Sequence, residues 1–406
     1  MLLFFLQKKI QGLQYKAMKR IYLDYAAATP IDKRVLRAMT PFFARDFQNP
    51  SAFYKEGVFV RKHIEEARKE IAKIIAGHSD EIIFTSGGTE GNNLALQGVV
   101  KAFGNRVSKK PHVIASSIEH ASVRSVLRVL KKRDEIELTE ISIGKDGAVS
   151  LSELKDALRE NTALVSVMQT NNEIGTIEPI AEVAKIIRNF KKKNNTTFPL
   201  LHTDACQSGN YLELNVERLG VDLMTLNSGK IYGPKGIGAL FVRRGVTLKP
   251  LIYGGGQEAG LRGGTENVAG IVGFAKALSI AQEMREKESK RLSTLRDYFF
   301  TKLKDVLPES EINGSLELRL PNNINISIPN TDSGELVARL DAKGIAVSAK
   351  SACGANDDET SHVTIALGIN ENNGSIRLTL GRDTKKSYLD YVLKILPGII
   401  KMSQKY

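Results

Sequence analysis

Six short apolar runs, at residues 82–85, 113–115, 163–168, 199–204, 223–226 and 239–242, recur along the chain, and polar motif residues recur just after them. None of the runs alternates apolar with polar residues, a pattern that belongs to strands covered on both faces. Helical stretches lie between them. In residues 58–76, Val60, Ile64, Ala67, Ile71 and Ile74 repeat at helical spacing and mark one buried face. A second helix is expected from about residue 90 to 103. Alternating strands and helices predict an α/β fold with a mostly parallel sheet. In open sheets of this kind ligands bind outside the carboxyl ends of the strands, where the polar motifs lie. A long charged helical pattern begins near residue 272 and includes 283–297. We therefore expect a large domain over 33–274 and a smaller C-terminal α/β domain built from 18–32 with 275–406.

Residues 1–17 read as an extension outside the fold, expected to be disordered. Met1 to Leu6 are apolar, but a basic stretch follows them instead of preceding them, the wrong order for a secretory signal. No run reaches the roughly 18–20 apolar residues that span a bilayer. The chain has only two cysteines, Cys206 and Cys353, which excludes a disulfide scaffold or a zinc framework. A reducing cytoplasm is the expected location, with no membrane partner. The net charge of +13 draws on clusters such as Lys109-Lys110, Lys131-Lys132-Arg133 and Lys191-Lys192-Lys193. They read as solvated surface, or as attraction to RNA or an acidic carrier protein. No zinc-finger spacing or aromatic RNA-binding motif is present, and no DNA partner is expected.

The polar motifs carry the chemistry. Ser86-Gly87-Gly88-Thr89 joins a strand to a helix, where backbone N–H groups and the helix dipole favour an anion; a plain N-cap with a turn explains it equally well. Asp204 ends an apolar strand, and a carboxylate buried there needs a cation such as a protonated pyridine nitrogen. Lys230 follows another strand among glycines, either as a Schiff-base lysine or as an exposed one. His120 stacks on a planar ring or caps a helix. Asn171 and Asn172 hold a ring hydroxyl or a substrate carboxylate, or form a turn. Arg377 and Arg382 each have the fork that grips a carboxylate. Cys353 lies among small residues, Ser351-Ala352-Cys353-Gly354, as a nucleophilic thiol does on a mobile loop; Lys350 beside it would lower the thiol pKa or simply be solvated.

These motifs occur in a fixed order: Tyr22 to Pro30, Asn49-Pro50-Ser51, Thr85 to Glu90, Glu119-His120, Asn171 to Gly175, Asp204 to Gln207, Lys230 to Gly236, Arg262 to Thr265, Ser351-Ala352-Cys353 and Arg377. As a set the chain resembles the NifS/IscS-type cysteine desulfurases over about residues 19 to 395. These are fold type I pyridoxal 5'-phosphate (PLP) enzymes related to class V aminotransferases. The resemblance implies removal of sulfur from L-cysteine, giving L-alanine and a persulfide on Cys353. It implies a homodimer that passes sulfur to an acceptor protein, either an iron–sulfur scaffold or a tRNA-thiolation enzyme. By position, Lys230 matches the lysine that binds the cofactor, Asp204 pairs with the pyridine nitrogen, and Gln207 with the phenolic oxygen. His120 stacks on the ring and shuttles protons. Gly88 and Thr89 bind the phosphate, with Asn227 and Ser228 as further donors, and Thr265 reaches the phosphate from the other subunit. Asn172 holds cofactor or substrate, and Arg377 with Asn49 binds the cysteine carboxylate. No metal is implied.

Two departures from the family pattern fall within the site motifs. Asn227-Ser228-Gly229 stands where the family has Ser-Gly-His before the lysine, and Gly354-Ala355-Asn356 replaces Thr-Ser-Ala after the cysteine. The first bears on the phosphate contacts, the second on the choice of acceptor. Selenocysteine lyases, cysteine-sulfinate lyases and simple class V aminotransferases share the cofactor residues and differ in their use of Cys353. A catalytically weak binding hub would lack the lysine or the thiol. Cys206 is expected to pack near the cofactor without carrying sulfur.

Overall fold

The computed structural model describes residues 20–104, 109–349 and 361–403. The extension at 1–17, Lys350 and Cys353 lie outside the described residues. The strands in chain order are β1 (Ile21–Tyr22), β2 (Ile82–Thr85), β3 (His112–Ser116), β4 (Glu137–Ile141), β5 (Thr162–Ser166), β6 (Leu200–Asp204), β7 (Leu223–Asn227) and β8 (Gly238–Val242). They continue with β9 (Glu311–Ile312), β10 (Asn323–Ile328), β11 (Ile345–Ala346) and β12 (Gly374–Thr379).

Seven of them form one sheet in the order β2-β8-β7-β6-β5-β3-β4. All neighbours are parallel except β8, which runs against both β2 and β7. Every residue of β2, β3, β5, β6 and β8 is buried. That is why the sequence shows apolar runs instead of alternation: helices cover both faces. The edge strand β4 is half exposed and its Glu, Leu, Thr, Glu, Ile order has no clear period, so the sequence did not reveal it.

The helix expected at 58–76 spans Lys55–Ile74 and buries Val60, Ile64, Ala67 and Ile71 as its spacing predicts. The next helix, Gly88–Gly104, begins two residues before the expected 90. Gly87 has φ +147, so the chain turns sharply there and Gly88 is already helical.

A second antiparallel sheet, β12-β10-β9, and the parallel pair β1-β11 build a separate core. The helix Val268–Val306 joins the two. Its 39 residues extend about 58 Å at 1.5 Å per residue. Its first part, to Ala281, packs in the core of the seven-stranded sheet, and from Leu292 it packs in the second core. The strand ends of β2, β7, β6, β5 and β3 share one edge of the large sheet, through the pairs Thr85–Gly238, Asn227–Gly238, Asp204–Thr225, Ser166–His202 and Ala115–Ser166. No helix among the described residues is long and apolar enough to cross a membrane.

A cavity at the sheet edge as the candidate active site

A cavity of about 140 Å³ opens at that shared edge. Each strand end contributes: Gly88 and Thr89 after β2, His120 and Ser122 after β3, Asn172 after β5, Asp204, Cys206 and Gln207 at the end of β6, and Asn227 and Lys230 after β7. Arg377 enters from β12 and Ala26 and Ala27 from the N-terminal segment. Sequence-distant motifs thus meet because parallel strands end together.

Asp204 is 6% exposed. Its Oδ1 accepts from the Cys206 N–H at 2.9 Å, and its Oδ2 accepts from Asn92 Nδ2 at 2.7 Å. Both donors are neutral. Lys230 Nζ donates to the carbonyls of Ala26 at 2.8 Å and Ala27 at 2.7 Å. Gln207 Nε2 reaches the same Ala26 carbonyl at 3.1 Å. His120 caps the helix Ala121–Lys132, its Nδ1 accepting from the Ser122 N–H at 3.1 Å. This histidine thus caps a helix and also lines the cavity.

Arg377 is almost fully buried. Its Nη1 donates to the Asn172 carbonyl at 2.8 Å and its Nη2 to Asp24 Oδ1 at 2.8 Å, while its Nε has no partner among the described residues. Arg382, the other candidate, stacks over Tyr232 at 3.9 Å and pairs with Asp32 at 2.9 Å, outside the cavity lining.

Three expected contacts are not brought to the cavity within the chain. The Ser228 hydroxyl is buried and without a partner among the described residues. It faces Gly233, whose Cβ, if it had one, would lie 2.1 Å from it. The tight turn Ser228–Lys230 sends Lys230 to the cavity and Ser228 away from its lining. Asn227 does line it, and its Oδ1 caps the Gly229 N–H at 3.0 Å. Asn49 is exposed in a turn, accepting from the Ser51 N–H at 2.9 Å. Thr265 is likewise exposed and off the lining.

Other residues at the site were not foreseen. Asn92 is fully buried and touches Asp204. Its signal was a polar residue four positions after Gly88 and four before Leu96, on the buried stripe of the helix Gly88–Gly104. Ser122 and Asp24 carried no such mark. Cys206 lines the cavity as expected, and burial, with the Asp204 charge next, pushes its thiol well above the usual range. It is therefore a poor nucleophile.

Residues 21–392 match the class-V aminotransferase family. The chain belongs to that family. Its relatives include the cysteine desulfurase IscS of Dictyoglomus turgidum, 46% identical over 95% of both chains. The cysteine desulfurase IscS 1 of Archaeoglobus fulgidus is 44% identical over 94% of this chain and 97% of the other. Among solved structures, a NifS-like protein superposes with a TM-score of 0.86 at 36% identity, over 94% of this chain and all of that one. Another, SspA in complex with cysteine, has a TM-score of 0.76 at 33% identity, over 89% of this chain and 98% of that one.

Enzymes of this family use PLP, and the residues present fit it. The buried Asp204 carboxylate suits a protonated ring nitrogen. Gly88 and Thr89, at the start of a 17-residue helix, suit a phosphate. Gly88 is also a cradle that a side chain would fill, since its Cβ would lie 2.7 Å from Cys206 Sγ.

Proposed function

We propose that this chain is a PLP-dependent cysteine desulfurase, converting L-cysteine to L-alanine and carrying the sulfur as a persulfide on Cys353. One observation carries the reading beyond cofactor binding: the described residues on both sides of segment 350–360 are held by residues that line the cavity or directly precede or follow ones that do. On one side, Ser348 and Arg377 exchange backbone hydrogen bonds of 3.1 and 2.6 Å. On the other, Ser361 Oγ donates to Glu173 Oε2 at 2.6 Å, and His362 Nε2 donates at 3.0 Å to the carbonyl of Glu119, the neighbour of His120. Cys353 follows Ser348 by five residues in the sequence, a tether of at most about 18 Å. The names of the relatives support the same reading.

When bound, PLP supplies an electron sink that makes the Cα–H of an attached amino acid acidic. Asp204 would keep the ring nitrogen protonated, Gln207 would bond the phenolic oxygen, and Gly88, Thr89 and Asn227 would hold the phosphate. Lys230 would hold the cofactor, and its amine would move the proton at Cα of the substrate. Arg377 orients the substrate carboxylate, with Asn172 beside it. The Cys353 thiolate attacks the substrate sulfur: an S–S bond forms, the Cβ–S bond breaks, and the electron pair left on Cβ takes a proton. Cysteine and a thiol become alanine and a persulfide, with no outside oxidant or reductant.

The enzyme is a cytoplasmic homodimer in this reading. Thr265 then reaches the partner's phosphate site, consistent with its exposure in a single chain. Phe43, Phe47 and Phe53, 64, 70 and 93% exposed, are surface that a second copy would cover. Residues 18–32 with 275–406 form the small domain and 33–274 the large one. The persulfide passes to an iron–sulfur scaffold or a tRNA-thiolation enzyme.

Borohydride reduction of the holoenzyme followed by peptide mapping tests the assignment of the cofactor lysine. The label is expected on Lys230 and absent from Lys230→Ala; a label on another lysine would reject it.

A further inference from the structure

Glu90 lies in the first turn of the helix Gly88–Gly104, next to the two residues that suit a phosphate. Its Oε2 accepts from the Ser86 N–H at 2.8 Å, which ties the entry of the loop to the first helical turn. The Gly91 N–H bonds the Gly87 carbonyl at 3.1 Å, so the N–H groups of Gly88 and Thr89 before it have no place in the helix ladder. A negative side chain in this turn suits the helix dipole. It also opposes a phosphate held at the same end.

The other oxygen of Glu90, Oε1, accepts from Arg262 Nε at 3.1 Å, with the Arg262 side chain 26% exposed and that of Glu90 14%. Arg262 comes from a loop that is fixed at several points. The Gly263 N–H bonds the Ile252 carbonyl at 3.0 Å, and the Gly264 N–H bonds Gln257 Oε1 at 2.9 Å. The Glu258 carboxylate accepts from the Phe84 N–H at 2.7 Å and from Arg68 Nη1 and Nη2, each at 2.8 Å. Glu258 and Ala259 have φ +49 and +55, a left-handed backbone that is costly outside glycine and that this anchor holds in place. Arg262 is thus presented to Glu90 before any ligand arrives.

We propose that Arg262 is a positioning residue of the phosphate site: it cancels the Glu90 charge at the helix N-terminus and fixes the Ser86–Thr89 loop without touching the ligand. The inference rests on the cavity being the PLP site. Neither Glu90 nor Arg262 lines that cavity, so their effect reaches the phosphate through the local field and the loop. Two other carboxylates share the small space that Arg262 lines, those of Glu258 and Glu266. Glu258 is offset by Arg68. The Glu266 Oε2 has no partner among the described residues, and this side chain adds to the negative charge that Arg262 balances.

The test is titration of the full chain, freed of cofactor, with PLP and with pyridoxal, which lacks the phosphate. Absorption reads binding, and thermal melting checks the fold. Arg262→Gln is expected to weaken PLP binding on the order of tenfold and to leave pyridoxal binding unchanged. High salt should shrink the PLP defect. Glu90→Gln removes the opposing charge, so it should bind PLP at least as tightly as wild type. Combined with Arg262→Gln it should restore most of the lost affinity. A purely structural tie would give the reverse, because Glu90→Gln breaks the same ion pair. Weaker PLP binding in Glu90→Gln therefore overturns the proposal by itself, even where Arg262→Gln does not fold. Wild-type PLP affinity in Arg262→Gln, equal losses for PLP and pyridoxal, or a double variant no better than Arg262→Gln would also overturn it. A wild-type chain that binds PLP no more tightly than pyridoxal would instead overturn the reading of the cavity on which the proposal rests.

Discussion

Asp24 and Arg377 form an ion pair at 2.8 Å, in which Arg377 is 2% exposed and joins the middle of β12 to the N-terminal segment. The same guanidinium holds the Asn172 carbonyl and leaves its Nε for another acceptor. It is thus oriented before any substrate arrives, and an incoming carboxylate shares it with Asp24. Arg377→Lys keeps the charge and loses the fork. A lost charge-assisted hydrogen bond amounts to about 1.5–3 kcal/mol, so KM for cysteine should rise roughly 10- to 150-fold with the cofactor absorption unchanged. Steady-state kinetics and a spectrum decide it; an unaltered KM would remove Arg377 from substrate binding.

Gly88 and Cys206 are a coupled pair. A Cβ at Gly88 would sit 2.7 Å from Cys206 Sγ. Gly88→Ala should destabilise the protein by about 1–3 kcal/mol, the range for overpacking, and weaken PLP binding. Adding Cys206→Ala should restore most of both, and Cys206→Ala alone should remain active. A double-mutant cycle of melting and PLP titration reads the coupling. Additive effects would mean that the sulfur is not what Gly88 accommodates.

Glu178 gives a pH signature away from the cavity. It is 4% exposed, its Oε2 accepts from the Val149 N–H at 2.9 Å, and its Oε1 has no partner among the described residues. Burial pushes its carboxyl up to about 8. Between the ordinary carboxylate range and about pH 8 the folded chain keeps a proton that the unfolded chain has lost. Stability therefore falls as pH rises through that window, by at most about 1.4 kcal/mol per pH unit for one proton. Glu178→Gln mimics the neutral acid. It should melt with wild type near pH 5 and above it at pH 8; parallel melting curves would show that Glu178 does not hold the proton.

The buried apolar runs made the large sheet legible, because strands covered on both faces need no polar residues. The same feature placed Asp204, Lys230 and His120 at one edge before any coordinates. β4 was missed because an exposed edge strand has no apolar run, and β10 because its buried Asn323, Asn325 and Ser327 look polar. Those side chains are satisfied by long-range bonds, such as Asn325 Nδ2 to the Glu173 carbonyl at 3.0 Å, which sequence does not display. The motifs gave residue types at Ser228 and Asn49 but not direction. A turn of three residues decides which side chain faces the cavity. Asn92 was visible as a polar residue in a buried stripe, yet its two partners lie 30 and 112 positions away.

The central claim is that sulfur leaves cysteine for Cys353. Incubate wild type, Cys353→Ser and Cys206→Ala with L-cysteine, measure alanine, and map the persulfide by mass spectrometry after alkylation. The account predicts alanine together with a persulfide on Cys353 in wild type and Cys206→Ala. In Cys353→Ser it predicts retained cofactor with neither product at the wild-type rate, because a hydroxyl is no substitute for a thiolate. A persulfide found on Cys206, or formed at full rate by Cys353→Ser, would contradict it.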